Sequence, residues 1–332
     1  MEFANNEVFK IEYNGEIYKT RKSFLKINHE KDLKVLIHNS FERLDWTREP
    51  SKSLQQLFKE RAEQIRDCYD YSVLYFSGGS DSITALNAFL NNNIELDEVV
   101  INCYPQIEAD VLNCEYAKNY LKKRMYKGKI TINEITLEKL NYINRNHIWT
   151  DNENFTGLFH NYLRFDVDFF EQSDVLKYHK RKGNVAHVFG FDYPSIAKIE
   201  DKFYCVMNPY LLSLPPYSPK SVNFFTSPEM PELHLKQCHI LAKYMKQNNV
   251  YAEEKCKICI RDEFNPRMFA PKTSGMLKKQ FFNGSESSWI LNTYFKDEEF
   301  KDIYANIIYK EVIKPRLNST QNILISKKYL LF

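Results

Sequence analysis

An apolar run from Tyr71 to Phe76 passes directly into Ser77-Gly78-Gly79-Ser80-Asp81-Ser82 and then into a helical pattern that reaches Leu90. Two of the chain's nine glycines stand side by side in this turn. A glycine-rich turn between the end of a strand and the start of a helix gathers backbone N–H groups at the positive end of the helix dipole, which makes a cradle for phosphate. Gly78 and Gly79 let the backbone approach an anion without a Cβ in the way, and the hydroxyls of Ser77, Ser80 and Ser82 add donors. Asp81 repels phosphate, so a carboxylate at this position implies an intervening cation, and Mg2+ is the natural one for an oxygen ligand beside a polyphosphate. Two commoner cradles are excluded by spacing: no Lys-Ser/Thr pair follows the last glycine, and G-x-G-x-x-G is absent from the turn.

The flanking pattern places this turn in an alternating chain. Val99 to Ile101 is a short apolar run, residues 107–128 read as a helix, Lys129 to Ile135 as a strand, residues 155–183 as helical, and Asn184 to Gly190 as another strand. Such alternation implies an α/β fold, a parallel sheet with helices on both faces. Upstream, Phe9, Ile11 and Tyr13 alternate with Lys10 and Glu12 before Asn14-Gly15, the signature of a β-hairpin. Ser53 and Gln56 form a capping box that opens a helix with Leu54, Leu57, Phe58, Ala62 and Ile65 along one face. Two helices end in basic residues followed by Gly128 and Gly183, which are expected to supply left-handed caps. Pro209, Pro215, Pro216, Pro219, Pro228 and Pro231 suggest a surface connection, beyond which Pro231 to Asn248 and the periodic segments 287–295 and 297–313 read as helical. The expected division is a β-containing region over 1–50, an α/β nucleotide domain over 51–215, and a mainly helical part over 216–332.

Ser77-Gly78-Gly79-Ser80-Asp81-Ser82 resembles the S-G-G-x-D-S signature of the PP-loop ATP pyrophosphatases, the superfamily of asparagine synthetase, GMP synthetase, tRNA-modifying thiolases and 7-cyano-7-deazaguanine synthase. The match is complete at every specified position. The resemblance implies ATP with its phosphates at the turn, Mg2+, and cleavage between the α and β phosphates: an acceptor oxygen is adenylated, pyrophosphate leaves, and a nucleophile displaces AMP. It further implies that Ile101 and Asn102 lie beside the adenine. Gly190 and Asp192, which follow the strand at Asn184 to Gly190, loosely match a glycine-rich segment carrying a second Mg2+ ligand; Asp192 reads equally well as a turn residue. In the basic segment 265–287, Lys272 and Lys278 are the candidates for a lysine facing the reacting phosphates, against a plain solvated loop.

The seven cysteines are odd in number and mostly isolated, which fits a reducing, cytoplasmic setting better than a disulfide framework. Cys256-x-x-Cys259 has the spacing of a zinc knuckle, and Cys238 with His234 or His239 could complete four ligands. Unliganded thiols remain the alternative, because His234, Cys238, Leu241 and Met245 also fall on one helical face.

A net charge of +3 over 332 residues gives little support for nucleic-acid binding, and no apolar stretch is long enough to span a bilayer. The activity that the resemblance implies is that of an AMP-forming ATP-dependent ligase acting on a small molecule, with asparagine synthetase-like amide formation preferred. A nucleobase or tRNA modification enzyme of the same superfamily is the second reading, and a non-catalytic nucleotide-binding module the third.

Overall fold

The computed structural model of the chain describes residues 8–13, 15–18, 34–106, 108–136, 138, 182–190, 194–207, 221–247 and 327–332. The N-terminal alternation forms a hairpin, β1 (Phe9–Tyr13) with β2 (Glu16–Tyr18), in which Gly15 takes the left-handed φ of +81°. A third strand, β3 (Lys34–Ile37), pairs antiparallel with the other edge of β1 and leads into the short helix α1 (Asn39–Glu42). The capping box then opens α2 (Leu54–Cys68): Gln56 N donates to Ser53 Oγ at 3.2 Å, and Ser53 N donates to Gln56 Oε1 at 2.8 Å.

Next come β4 (Tyr71–Tyr75), α3 (Ser80–Leu90), β5 (Glu98–Cys103), α4 (Glu108–Lys123), β6 (Lys129–Glu134) and β7 (Val185–Phe189). A second hairpin, β8 (Ser195–Ile199) and β9 (Lys202–Met207), precedes β10 (Ser221–Asn223) and α5 (Pro231–Gln247), and β11 (Lys327–Leu330) ends the chain. The central sheet has the order β10-β7-β4-β5-β6, with every neighbouring pair parallel. This is the α/β architecture expected from the alternation. Its strands β4, β5 and β7 are buried runs without polar alternation, as strands covered on both faces must be. Leu74, Phe76, Val99, Ile101, Ala186, Val188 and Val222 pack against α2, α3, α4 and α5 in one core. The connections β4-α3-β5 and β5-α4-β6 step in the same direction across the sheet, and both helices contribute to the same core. Val73, Tyr75, Val100, Val185 and Phe189, on the opposite face, are buried as well. Of the helical expectation for 155–183 only Lys182 and Gly183 are among the described residues, and Gly183 takes a left-handed φ of +82°; the expectations for 287–295 and 297–313 lie outside them.

Helix α5 has two buried sides. Leu233 and Leu241 enter the sheet core, while Leu235, Cys238, Ala242 and Met245 enter a second core with Phe41, Trp46, Phe203, Cys205, Met207 and Leu331. That second core lies under the antiparallel sheet β11-β9-β8.

Two expectations are corrected. The proline-rich stretch is not only a surface connection, because β10 sits inside it and residues 222–228 are buried; a three-residue strand between Pro219 and Pro228 is too short to show a period. The sheet thus draws its edge strand from beyond residue 215. Nor does Gly128 cap α4. Met125 takes the left-handed position (φ +51°), with Tyr126 N bonded to Leu121 O and Met125 N to Lys122 O in a Schellman arrangement. Gly128 instead leaves room for the Tyr126 hydroxyl, which donates to Leu96 O at 2.9 Å and would lie 2.2 Å from a Cβ there.

The junction between α5 and residues 46–49 makes stability pH-dependent. His239 Nε2 lies 2.9 Å from Trp46 O, and burial holds the imidazole below its ordinary value. Burial would raise the Glu49 carboxyl, but its bonds to Lys236 and Lys243 outweigh that and hold it low. Both groups bind fewer protons folded than unfolded, so stability is present at neutral pH and falls on acidification. Loss through His239 begins as pH drops past the unfolded imidazole value of about 6.5. His239→Gln should therefore flatten the fall in thermal midpoint between neutral pH and the mildly acidic range. Parallel curves for the two proteins would contradict this.

Candidate nucleotide site

Because the central strands are parallel, their carboxyl ends share one edge, where open α/β sheets bind ligands. The Ser77–Ser82 turn lies at that edge, at the end of the central strand β4. Phe76 N still pairs with Val100 O at 2.8 Å, so the strand is held to its last residue before the chain turns. Gly78 is buried with φ +69°, and a Cβ on it would sit 3.2 Å from Tyr116 Cδ1 and 3.3 Å from Ala117 Cβ. Conformation and space each call for glycine. Gly79 is the extended N-cap of α3, and the first intrahelical bond is Ile83 N to Gly79 O at 2.9 Å. The N–H groups of Ser80, Asp81 and Ser82 precede that bond, so the helix itself offers them no acceptor.

Ser77 and Ser82 differ in their roles. Ser77 is exposed, and its hydroxyl accepts from Gly79 N at 3.3 Å. Ser82 is buried; its hydroxyl donates to Gly79 O at 3.1 Å and accepts from Ser77 N at 3.3 Å. With its single proton engaged, the Ser82 hydroxyl braces the turn, and any contact of Ser82 with an anion falls to its backbone N–H. Asp81, half-buried, stands in the first turn of α3, where a carboxylate also complements the helix dipole.

Gly190, at the end of β7, comes against the same turn. A Cβ there would lie 3.0 Å from Asp81 O and 3.0 Å from Ala85 Cβ, so the glycine lets β7 approach the start of α3. Ile101 and Asn102 occupy β5 beside the turn, but differently. The Ile101 side chain is in the core, leaving only its backbone near the edge. Asn102 is half-buried; its Oδ1 accepts from Asn133 Nδ2 at 3.2 Å and its carbonyl accepts from Cys114 Sγ at 3.4 Å. Below them Asp110 accepts from Tyr104 N at 2.8 Å, fixing the chain after β5. Burial pushes the Cys103 and Cys114 thiols up, so both remain protonated beside Asp110.

Asp192, Cys256, Cys259, Lys272 and Lys278 lie outside the described residues. Of the thiols considered for zinc, Cys238 is buried on α5 next to His234 and Cys205, while His239 is engaged with Trp46 O. Cys205 gave no signal of its own in the sequence. It alternates inward with Phe203 and Met207 and reads as one more apolar position on a strand. The i, i+4 pair His234 and Cys238 was the legible half of the group.

No protein-family model matches the sequence, and no curated protein matches it. Among solved structures, the chain is similar to the NH3-dependent NAD synthetase of Campylobacter jejuni in complex with nitrate, at 16% identity over 70% of this chain and 94% of that one, with a TM-score of 0.33.

Proposed function

We propose that the chain is an AMP-forming, ATP-dependent ligase of the PP-loop pyrophosphatase type, in which a small-molecule carboxylate or carbonyl oxygen is adenylated and passed to an amine, ammonia or sulfur nucleophile. Amide formation in the manner of asparagine synthetase is the preferred form. The observation that carries the reading is the Ser77–Ser82 turn: a buried left-handed glycine, an extended glycine N-cap and the N-terminus of α3 at the carboxyl edge of a parallel sheet. In this reading the first-turn N–H groups and Ser77 hold two linked phosphates, and the Ser82 brace keeps the turn in shape before ATP arrives. Asp81 fits Mg2+, since a carboxylate together with phosphate oxygens supplies the hard oxygen donors that ion takes. Bound there, Mg2+ would offset the charge on departing pyrophosphate. The backbone of Ile101 and the side chain of Asn102 flank the adenine, and Gly190 keeps β7 close to the turn.

Asp192 as a further carboxylate and Lys272 or Lys278 as the cation facing the reacting phosphates belong to the same proposal. So does the division into 1–50, 51–215 and 216–332, in which β10 of the last part pairs onto the sheet of the second.

No lysine enters the turn, so nothing in it is aimed at a terminal phosphoryl group as in P-loop kinases and NTPases. The expected products are AMP and pyrophosphate. Incubation of the full chain with ATP labelled at the α phosphate, Mg2+ and fractionated pools of small carboxylates or RNA should release labelled AMP with one fraction. Oxygen-18 in the acceptor should then appear in AMP and be absent from pyrophosphate. Formation of ADP and orthophosphate would overturn the reading.

A further inference from the structure

Away from the nucleotide site, β9 and α5 bring Cys205, His234 and Cys238 together inside the second core. All three are buried, and their ligand atoms lie within 4.8 Å of one another. His234 and Cys238 project from one side of α5 at i, i+4 spacing, and Cys205 meets them from the inward face of β9. The proposed ligase chemistry uses none of the three. We propose that Cys205, His234 and Cys238 form a structural zinc site that fastens the β8-β9-β11 sheet to α5.

The geometry suits the ion. Cys205 Sγ lies 3.6 Å from His234 Nε2. A tetrahedral zinc with ordinary sulfur and imidazole bond lengths separates those two atoms by about 3.6 Å. The far side of the ring is already fixed: His234 Nδ1 lies 2.9 Å from Thr226 Oγ1, and the ring meets the edges of Phe41 and Trp46. A proton on Nδ1 shared with Thr226 leaves the Nε2 lone pair directed at the thiols, the outer arrangement that metal-bound histidines show. Charge also balances, because two thiolates and a neutral imidazole around Zn2+ make a unit with no net charge to bury. Zinc would displace the two thiol protons into solvent and change no oxidation state. Among the described residues no fourth Cys, His, Asp or Glu joins the group, so the fourth position of a tetrahedral shell would fall to a water molecule. Without metal, the same three residues would form a chain of weak thiol hydrogen bonds, so metal content and ligand identity decide the matter.

The test uses the full chain purified without chelators, with metal analysis and zinc-edge X-ray absorption. The expected result is about one zinc per chain, in a shell that contains imidazole as well as sulfur. Cys205→Ser should lower bound zinc about tenfold or more, while the double variant Cys256→Ser/Cys259→Ser keeps it. Zinc retained by a folded Cys205→Ser chain, or lost only from the Cys256/Cys259 variant, would overturn the proposal. Should Cys205→Ser not fold, the wild-type protein still decides: no uptake of Zn2+ or Co2+, or a shell of sulfur without imidazole, overturns it. The outcome is independent of the nucleotide reading, because a zinc-free ligase and a zinc-bound protein that never cleaves ATP are both distinguishable results.

Discussion

In the proposed site, replacing Asp81 by Asn should remove the Mg2+-dependent part of ATP binding and leave the fold in place. Two roles compete for this carboxylate, and their magnitudes separate them. As an acidic residue in the first turn of α3 it interacts with the helix dipole, a term of about 0.3–1 kcal/mol, which the neutral amide would largely forfeit. As a Mg2+ ligand it contributes to ATP affinity, and an amide is a poor ligand for a hard cation. A ligand present at a hundred times its Kd stabilises the folded state by about 2.7 kcal/mol, and a hundredfold weaker Kd reduces that to about 0.4 kcal/mol. The shift in thermal midpoint on adding ATP with Mg2+ should therefore nearly vanish in Asp81→Asn, whereas the ligand-free midpoint moves only slightly. ATP without Mg2+ should affect both proteins alike. An unchanged Mg2+-dependent shift in the variant would assign Asp81 to the helix dipole alone and remove the metal from the proposed site.

The turn was legible because its requirements are local. A left-handed glycine, an N-cap and a first-turn acid are all written within Ser77 to Ser82, and the strand before and helix after have clear periods. Helices α2, α4 and α5 were legible for the same reason. The small sheets were less so. Strand β3 and hairpin β8-β9 are short, and β11 pairs with β9 across more than a hundred residues of chain, a contact no local pattern encodes. The caps show a similar limit. Asn93 and Met125 take left-handed conformations at the ends of α3 and α4, and only the first belongs to a residue type that favours them. Cys205 was missed because a thiol that alternates with Phe and Met looks apolar until the strand is placed against α5. Ser82 is the reverse case: its residue type suggests a phosphate donor, and only its bond to Gly79 O shows that the proton is already engaged.

Removing the Glu229 side chain should destabilise the protein by about 2–4 kcal/mol, the usual range for breaking a buried ion pair reduced for a carboxylate that is partly exposed. Its partner Arg61 is fully buried on α2, and the pair is 2.8 Å apart, with the carboxylate side 25% exposed. The guanidinium also donates to Gln64 Oε1 at 2.6 Å and to Asn223 O at 3.0 Å, while its Nε has no partner. Burial lowers the proton affinity of Arg61 and Glu229 opposes that, yet a guanidinium stays charged in either case. In Glu229→Ala the charge would remain in the core with fewer compensating bonds. Because Asn223 ends β10 and Glu229 lies in the turn before α5, the loss acts on the edge of the parallel sheet, next to β7. The test is urea unfolding of Glu229→Ala, of Arg61→Met, and of the double variant. If the cost comes from a stranded charge, the double variant should be more stable than Glu229→Ala, since replacing both members by apolar groups removes the charge along with its counter-ion. Strictly additive losses would mean that the two side chains act separately, and that the edge strand is held by packing of Val222, Phe224 and Phe225 alone.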